Sequence, residues 1–194
     1  MTSVSEEDYR KQLTAHYLKA LGYTGNTELL DFAFAQGDPH RAAVVKVARM
    51  RLPCEDGGDL WFAGSLGHSN ASYVAGDHAH QFVGVFDAED LALCEMVAST
   101  YHFDAFVEKL NYGHTFPLGK ASTLRPKGYS AVMILDGSVY RHFEDDHALI
   151  AGIPTRLFSV VPVTSAELEV KKSQGLDALL DLWSASSRDL LHVG

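Results

Sequence analysis

The strongest local signal in this chain is a strand that runs directly into a capped helix. Residues 156–163 are largely apolar and β-branched, as a buried strand requires. Thr164-Ser-Ala-Glu167 follows with the spacing of a capping box, in which the Thr164 hydroxyl accepts from the Glu167 amide and the Glu167 carboxylate accepts from the Thr164 amide. We therefore predict a strand over 156–163 and a helix from Thr164 to about Ser173 that stops at Gly175.

Two further residues refine this C-terminal segment. Pro162 lies inside the predicted strand and has no amide hydrogen, so its position favours an edge strand or a strand end. After Gly175, closely spaced leucines and Trp183 predict a last short apolar helix, which should pack on the sheet.

The N-terminal part predicts helices before any strand. Residues 5–20 place acids in the first turn and apolar residues at helical spacing, which indicates an amphipathic helix. A second, short helix is predicted over Glu28–Gln36, ended by the Gly-Asp-Pro sequence that follows. We therefore interpret 1–41 as an N-terminal helical segment and 42–194 as an α+β domain, the two forming one compact unit.

The middle of the chain alternates less regularly than a doubly wound fold should. Short apolar runs predict an antiparallel hairpin over 42–66, a strand over 81–86 and a strand over 129–135. Asp87 is the predicted N-cap of a helix that reaches about Thr100 and continues as a helical stretch to Leu110. Because strands and helices are not interleaved one by one, we predict an α+β fold with a mixed, mainly antiparallel sheet and helices packed on it.

Composition limits the class of protein and of partner. The 194 residues suffice for one core, and the formal net charge of −9 disfavours binding to a phosphate backbone, so nucleic acid is not a predicted partner. The chain shows neither a signal-peptide pattern nor an apolar run of membrane-spanning length, which predicts a cytoplasmic protein without a membrane partner. Cys54 and Cys94 are too few for a disulfide framework, and both are predicted to be reduced.

The histidines are the main argument for an enzyme. His78 and His80 on an extended segment would point to one side, and with His68 they could form the metal site of a metal-dependent hydrolase. The simpler interpretation is a solvated polar loop over 67–80. The charged run at 144–147 is likewise predicted to be a solvated loop or an acidic docking patch. No catalytic residue and no cofactor is predicted, because the usual nucleophile, phosphate-loop and metalloprotease motifs are absent from the sequence.

Two segments of the C-terminal half resemble the suppressor-of-fused (Sufu) domain family, especially its short bacterial members. The first is a "YGHT" turn after a helix, and the second combines the strand, the capped helix and the last helix described above. The residues that carry the resemblance, whether structural or partner-facing, are Tyr112, Gly113, His114, Thr115, Pro162, Glu167, Glu169, Lys171 and Gly175.

The resemblance implies a Sufu-like fold and a function without catalysis. Animal members of the family bind and restrain a transcription factor of the Hedgehog pathway, and bacterial members are inferred to be immunity proteins of toxin systems. By analogy, the expected function is that of a protein-binding domain, of immunity or regulatory type, that binds and neutralises a partner protein such as a toxin. The acidic chain suits a basic target. The metal-dependent hydrolase, and a housekeeping domain whose partner is not a toxin, stay open as alternatives.

Overall fold

The computed structural model describes residues 4–36, 38–54, 58–67, 78–120, 122–139, 143 and 146–190, with side chains throughout except at residues 35–42. In this part of the chain the elements follow the order α1 (Glu6–Ala20), β1 (Glu28–Gln36), β2 (Asp38–Pro53), β3 (Asp59–Ser65), β4 (Ala79–Phe86), α2 (Leu91–Phe106), β5 (Thr115–Pro117), β6 (Tyr129–Asp136), a 3-10 turn (Gly137–Val139), β7 (His147–Ile150), β8 (Ile153–Thr164), α3 (Ser165–Gln174) and α4 (Leu176–Ser186).

The eight strands form one mixed, mainly antiparallel sheet. Its order is β1-β2-β3-β4-β8-β6-β5, and β7 pairs with β8 beyond the point where β6 ends. The pairing of β4 with β8 is parallel, whereas the other described pairings are antiparallel. The predicted α+β class, with helices packed on such a sheet, is confirmed.

Helices cover both faces of the sheet. Alternate residues of a strand point to opposite faces, so β8 contributes Phe158 and Val160 to the core beneath α2 and Val161 and Val163 to the opposite face. On that opposite face α1 packs over the β2–β3 side, while α3 and α4 pack over β6 and β8, where Trp183 is buried. The result is a three-layer arrangement of helix, sheet and helix.

The predicted helix over Glu28–Gln36 is wrong, because this segment is strand β1. Leu30, Phe32 and Phe34 are half-buried against the core beneath α2, whereas the residues between them are exposed, which is the period of a strand. Pairing with β2 outweighs the helical propensity of the glutamate, leucine and alanine residues. β2 itself begins at Asp38 and therefore runs through the predicted boundary between 41 and 42.

Most of the other predicted elements are where the sequence predicts them. They are the hairpin, the strands over 81–86, 129–135 and 156–163, and the helices α1, α3 and α4. The central helix differs at both ends. Its N-cap is Asp90 rather than Asp87, since the Asp90 carboxylate accepts from the Ala92 amide at 2.8 Å, and it ends at Phe106 instead of reaching Leu110. Strands β5 and β7 were not predicted, and residues 68–77 of the predicted loop lie outside the described residues.

The predicted state of Cys94 agrees with its environment. Both cysteines are free, and Cys94 is buried in α2. Burial raises the pKa of its thiol to about 11, so the thiolate is scarce at neutral pH.

Buried hydrogen bonds join β3, β4 and β8 where the parallel pairing begins. The Ser65 hydroxyl donates to Oε1 of Gln81 at 2.7 Å and accepts from the Phe82 amide at 2.9 Å. Gln81 Nε2 lies 3.3 Å from the Tyr9 hydroxyl, which in turn lies 2.9 Å from the hydroxyl of Thr155. One chain of polar groups thus connects three strands and α1.

Two main-chain oxygens complete this buried network. Gln81 Nε2 donates to the Gly67 carbonyl at 2.5 Å, and the Tyr17 hydroxyl donates to the Ser65 carbonyl at 2.9 Å. Because Ser65 and Gln81 are at most 1% exposed, each unpaired group would cost the full price of desolvation.

Ser65→Ala should therefore destabilise the protein strongly. The change leaves the Phe82 amide and Gln81 Oε1 buried without their partner, so we expect a loss of about 2–4 kcal/mol in the free energy of unfolding. Urea unfolding followed by circular dichroism measures this free energy.

Ser130→Ala is the matched control, since the buried Ser130 hydroxyl has no partner among the described residues and its removal should change stability by less than about 0.5 kcal/mol. Equal effects of the two changes would contradict the proposed role of the network.

Candidate functional site

Residues 111–114, which include the Sufu-like sequence motif, form a tight turn that leads into the edge strand β5. The His114 amide donates to the Asn111 carbonyl at 2.9 Å, and Gly113 between them has φ +77°, as the third residue of a type II turn requires. The Gly113 amide donates to the Ile134 carbonyl at 2.8 Å, and the His114 carbonyl accepts from the Ile134 amide at 2.9 Å. The backbone of His114 therefore has the structural role, while its side chain is exposed.

The strand that follows this turn, β5, is a short edge strand. It pairs with β6 through Thr115, Phe116 and Pro117, and it lies at the end of the sheet order. Phe116 points into the core beneath α2, whereas Pro117 is exposed and has no amide hydrogen.

The two family-like segments of the sequence meet at this turn. Lys171 of α3 donates through Nζ to the Thr115 hydroxyl at 3.2 Å. Leu176 at the start of α4 lies so close to Gly113 that a Cβ on the glycine would be 2.8 Å from Leu176 Cδ2. Burial lowers the pKa of Lys171 from its ordinary value. Residues distant in sequence thus form one surface.

A groove of about 450 Å³ opens beside β5. Its aromatic part is formed by Phe103 and Phe116, whose rings stack with centroids 5.2 Å apart and planes 12° apart. Lys171 and Glu108 supply opposite charges to its lining. The lining residues are Phe103, Glu108, Leu110, Gly113, His114, Thr115, Phe116, Pro117 and Lys171.

Glu167 holds the helices α3 and α4 together. Its carboxylate accepts from the Thr164 amide at 2.7 Å, from Trp183 Nε1 at 2.8 Å and from Arg188 Nε at 2.5 Å, and the Thr164 hydroxyl accepts from the Glu167 amide. Burial alone would raise the pKa of Glu167, but the Thr164 amide, the charge of Arg188 and the bond from Trp183 outweigh it and lower this pKa. The predicted capping box is present, with the Arg188 and Trp183 contacts in addition.

Pro162 lies beside the same cluster, and its position explains why a central strand tolerates it. The pairing of β4 with β8 ends at Ser159, so beyond that residue this side of β8 has no strand partner. Arg188 lies on this side of β8 in place of a strand. It donates to the Pro162 carbonyl at 2.9 Å, and its guanidinium lies 5.1 Å from the Trp183 ring centroid. Pro162 therefore lies where β8 is locally an edge strand, one of the two positions predicted for it.

Replacing Glu167 by Gln should make the protein less stable at neutral pH. The charge paired with Arg188 is lost while the helix cap keeps an acceptor, so we expect a loss of about 2 kcal/mol. Because the folded-state pKa of Glu167 is lowered, its stabilisation is present above about pH 4.5 and is lost as the pH falls through the folded-state pKa. Urea unfolding of both proteins from pH 7 down to pH 3 should show the two stabilities converging.

The control for that change is Glu169→Gln. Glu169 is exposed and pairs with Lys172 at 3.2 Å, so its effect should stay below about 0.5 kcal/mol at every pH. A pH-independent difference between wild type and Glu167→Gln would contradict the role of the Glu167 charge.

The remaining family-like residues have different surroundings. Tyr112 is 42% exposed at the tip of the turn, and Glu169 lies on the outer side of α3. Gly175 joins α3 to α4 with a φ of +97°, and the backbone of a residue with a side chain would be strained at this angle. The structure thus brings Gly113, His114, Thr115 and Lys171 into the groove and places the others outside it.

The predicted histidine site is only partly within the described residues. His68 lies outside them. His80 is 3.0 Å from the buried carboxylate of Asp104, which also accepts from the Leu110 amide, whereas His78 packs against His147 with ring centroids 5.0 Å apart. Among the described residues, no three His, Cys, Asp or Glu side chains are grouped so that they could hold a metal ion. Within the described residues, His78 and His80 therefore form no metal site, and His68 of the hydrolase alternative is not among those residues. Residues 144 and 145 of the predicted acidic patch also lie outside the described part.

A further histidine, His102 of α2, lies between two phenylalanines on the β1 side of the sheet. Its ring stacks on Phe34 at 4.7 Å and lies 5.1 Å from Phe106. Its Nε2 is buried and has no hydrogen-bond partner in the described part of the chain. Burial lowers the pKa of His102, because protonation would place a charge in an apolar surrounding.

His102 should make the protein sensitive to mild acid. Since the folded-state pKa lies below the ordinary value of 6.5, the unfolded chain binds a proton more readily, and stability should fall as the pH drops below about 6.5. His102→Phe keeps the aromatic packing and removes the titration. Thermal unfolding between pH 8 and pH 5 should show a smaller loss for the variant, and equal losses in both proteins would contradict this assignment.

Sequence reasoning missed several residues of the groove and of the cluster around Glu167. Phe103 and Phe116 lie in apolar stretches that look like ordinary core, and Arg188 has no motif around it. Their roles arise from contacts between residues far apart in the chain, as between Arg188 and Pro162.

Comparison with known proteins identifies the fold. No protein-family model and no curated protein matches the chain. A suppressor-of-fused homologue from Neisseria gonorrhoeae is 15% identical with a TM-score of 0.66, covering 97% of this chain and 95% of that one. The structure of a Sufu–Fu complex matches with a TM-score of 0.67 at 11% identity over 95% of this chain and 88% of that one.

Drosophila Suppressor of Fused gives a similar result, with a TM-score of 0.64 and 13% identity over 95% of this chain. The chain spans 49% of that longer protein. The common property at these identities is the fold, and the predicted Sufu-like fold is therefore confirmed. None of the helices among the described residues has the length and hydropathy that a bilayer-spanning segment needs.

Proposed function

We propose that this protein acts without catalysis, by binding another protein in the groove beside β5. The observation that carries the proposal is the groove itself, in which two stacked phenylalanines and a partly buried lysine lie along a sheet edge. A concave surface that combines aromatic side chains with a few polar groups is typical of a binding site.

The lining of the groove suggests how a partner would be held. Phe103 and Phe116 offer an apolar floor for a large side chain, while Lys171 and Glu108 can orient a polar or charged neighbour. The ammonium of Lys171 has three hydrogens and donates one of them to Thr115, so it can also donate to a carboxylate or carbonyl of the partner.

The family-like residues then divide into two groups. His114, Thr115 and Lys171 line the groove and would contact the partner. Gly113 also lines the groove and shapes the turn, whereas Pro162, Glu167 and Gly175 shape the end of β8 and the helix junction behind it. A protein partner, without reference to particular residues, is supported by the fold comparison, because one of the similar structures is that of a Sufu–Fu complex.

The partner that we propose is a basic protein, such as a nuclease toxin, which this protein would neutralise in the bacterial cytoplasm as an immunity or regulatory protein. The net charge of −9 supports the choice, because complementary charge accelerates encounter. A partner of this kind would associate more slowly at high salt.

The test uses the product of the gene adjacent to this one. Both proteins are co-expressed, and copurification and the dissociation constant are measured by calorimetry. His114→Ala removes an exposed side chain from the groove and should weaken binding about tenfold. His147→Ala is the matched control, because it removes another exposed imidazole, on β7 and outside the groove, and should leave the dissociation constant unchanged.

Two outcomes would contradict the proposal. Equal binding by wild type and His114→Ala would place the interface elsewhere. Stoichiometric zinc in protein purified without an affinity tag, abolished in His78→Ala and His80→Ala, would support the hydrolase instead.

A further inference from the structure

The edge of the sheet opposite β5 carries backbone groups that have no strand partner among the described residues. The Leu66 amide donates to the Lys46 carbonyl at 2.8 Å, so the peptide groups of Lys46 point towards β3. Peptide groups alternate in direction along a strand, and Val45 therefore points towards β1, where it pairs with Phe32. The neighbours of Phe32 must point away from the sheet. The outward amides and carbonyls of β1 thus belong to Leu29, Asp31 and Ala33.

This edge has few of the features that normally prevent strand pairing. Over Glu28–Gln36 the strand contains no proline and no lysine, and most of its residues are apolar. Leu29 is 58% exposed, and Val44 of β2, which pairs with Ala33 four positions further along, is 52% exposed. By contrast, the other end of the sheet is a strand of three residues that ends in Pro117. A long, apolar and unprotected edge is a template for another strand.

The two acids of β1 are already neutralised within the molecule. Asp31 pairs with Lys46 at 2.6 Å, and Glu28 pairs with Arg49 at 2.5 Å. The two carboxylates stay more than half exposed in these ion pairs, so a like charge placed directly opposite Asp31 would still be repelled.

We propose that β1 is a homodimer interface, in which β1 of a second copy of this chain pairs antiparallel with it around a two-fold axis at Phe32. In this register Asp31 lies opposite Ala33 of the second copy, and Leu30 lies opposite Phe34. Shifting the axis to Asp31 would place two carboxylates directly opposite each other, which is unfavourable. The sequence of β1 therefore permits pairing of two identical strands and favours the axis at Phe32 over the axis at Asp31. The two eight-stranded sheets become one.

The proposal is tested by sedimentation velocity over a range of protein concentrations. Wild type should show a concentration-dependent dimer. Ala33→Glu places a carboxylate opposite Asp31 of the second copy, twice by symmetry, and should raise the dissociation constant about tenfold. Ala33→Lys places an ammonium there and should not raise it. Leu149→Glu adds the same charge on β7, at a residue 72% exposed, and serves as the matched control that leaves the dimer intact.

Hydrogen exchange provides a second measurement that does not depend on variants. In the dimer the amides of Leu29, Asp31 and Ala33 should be protected, and this protection should disappear on dilution. A wild-type protein that is monomeric at all concentrations overturns the proposal. A dimer in which these three amides exchange freely overturns it as well, because the interface then lies elsewhere.

Discussion

The parallel pairing of β4 with β8 is the constraint on which the rest of the molecule depends. It joins the N-terminal strands to the C-terminal ones, and the buried chain of hydrogen bonds through Ser65, Gln81 and Thr155 fixes where it begins. Each of these groups would be costly to bury alone, so the network is satisfied at one relative position of the strands. The positions of α1 and of the strands on either side follow from that choice.

Once β8 is fixed in the centre, the C-terminal helices can reach only one part of the sheet. α3 starts directly from the end of β8, and the Glu167 cluster sets the angle between α3 and α4. This geometry places Lys171 within hydrogen-bonding distance of Thr115, and it places Leu176 against Gly113. The groove beside β5 is thus a consequence of a helix cap on the neighbouring strand. Residues that shape the groove from behind matter as much as those that line it.

Local signals predicted the elements whose cause is local, and these included the capping box at Thr164–Glu167 and the apolar strand over 129–135. Glu28–Gln36 was predicted wrongly because its helix-forming residues become a strand only by pairing with β2. Within the site, the turn at Gly113 could be predicted from sequence, since a positive φ favours glycine. The stack of Phe103 on Phe116 and the contact of Arg188 with Pro162 depend on tertiary structure, and no local sequence pattern predicts them.

The central position of β8 also determines the order in which the protein can be completed during synthesis. Ala79 on β4 pairs beside Thr155, so the ribosome must add a long stretch of chain before that edge finds its partner. Until then β1–β4 can form an antiparallel unit whose β4 edge is open to other nascent chains. Such non-local pairing slows folding. The new protein is therefore most exposed to aggregation before β8 pairs with β4 and closes the sheet.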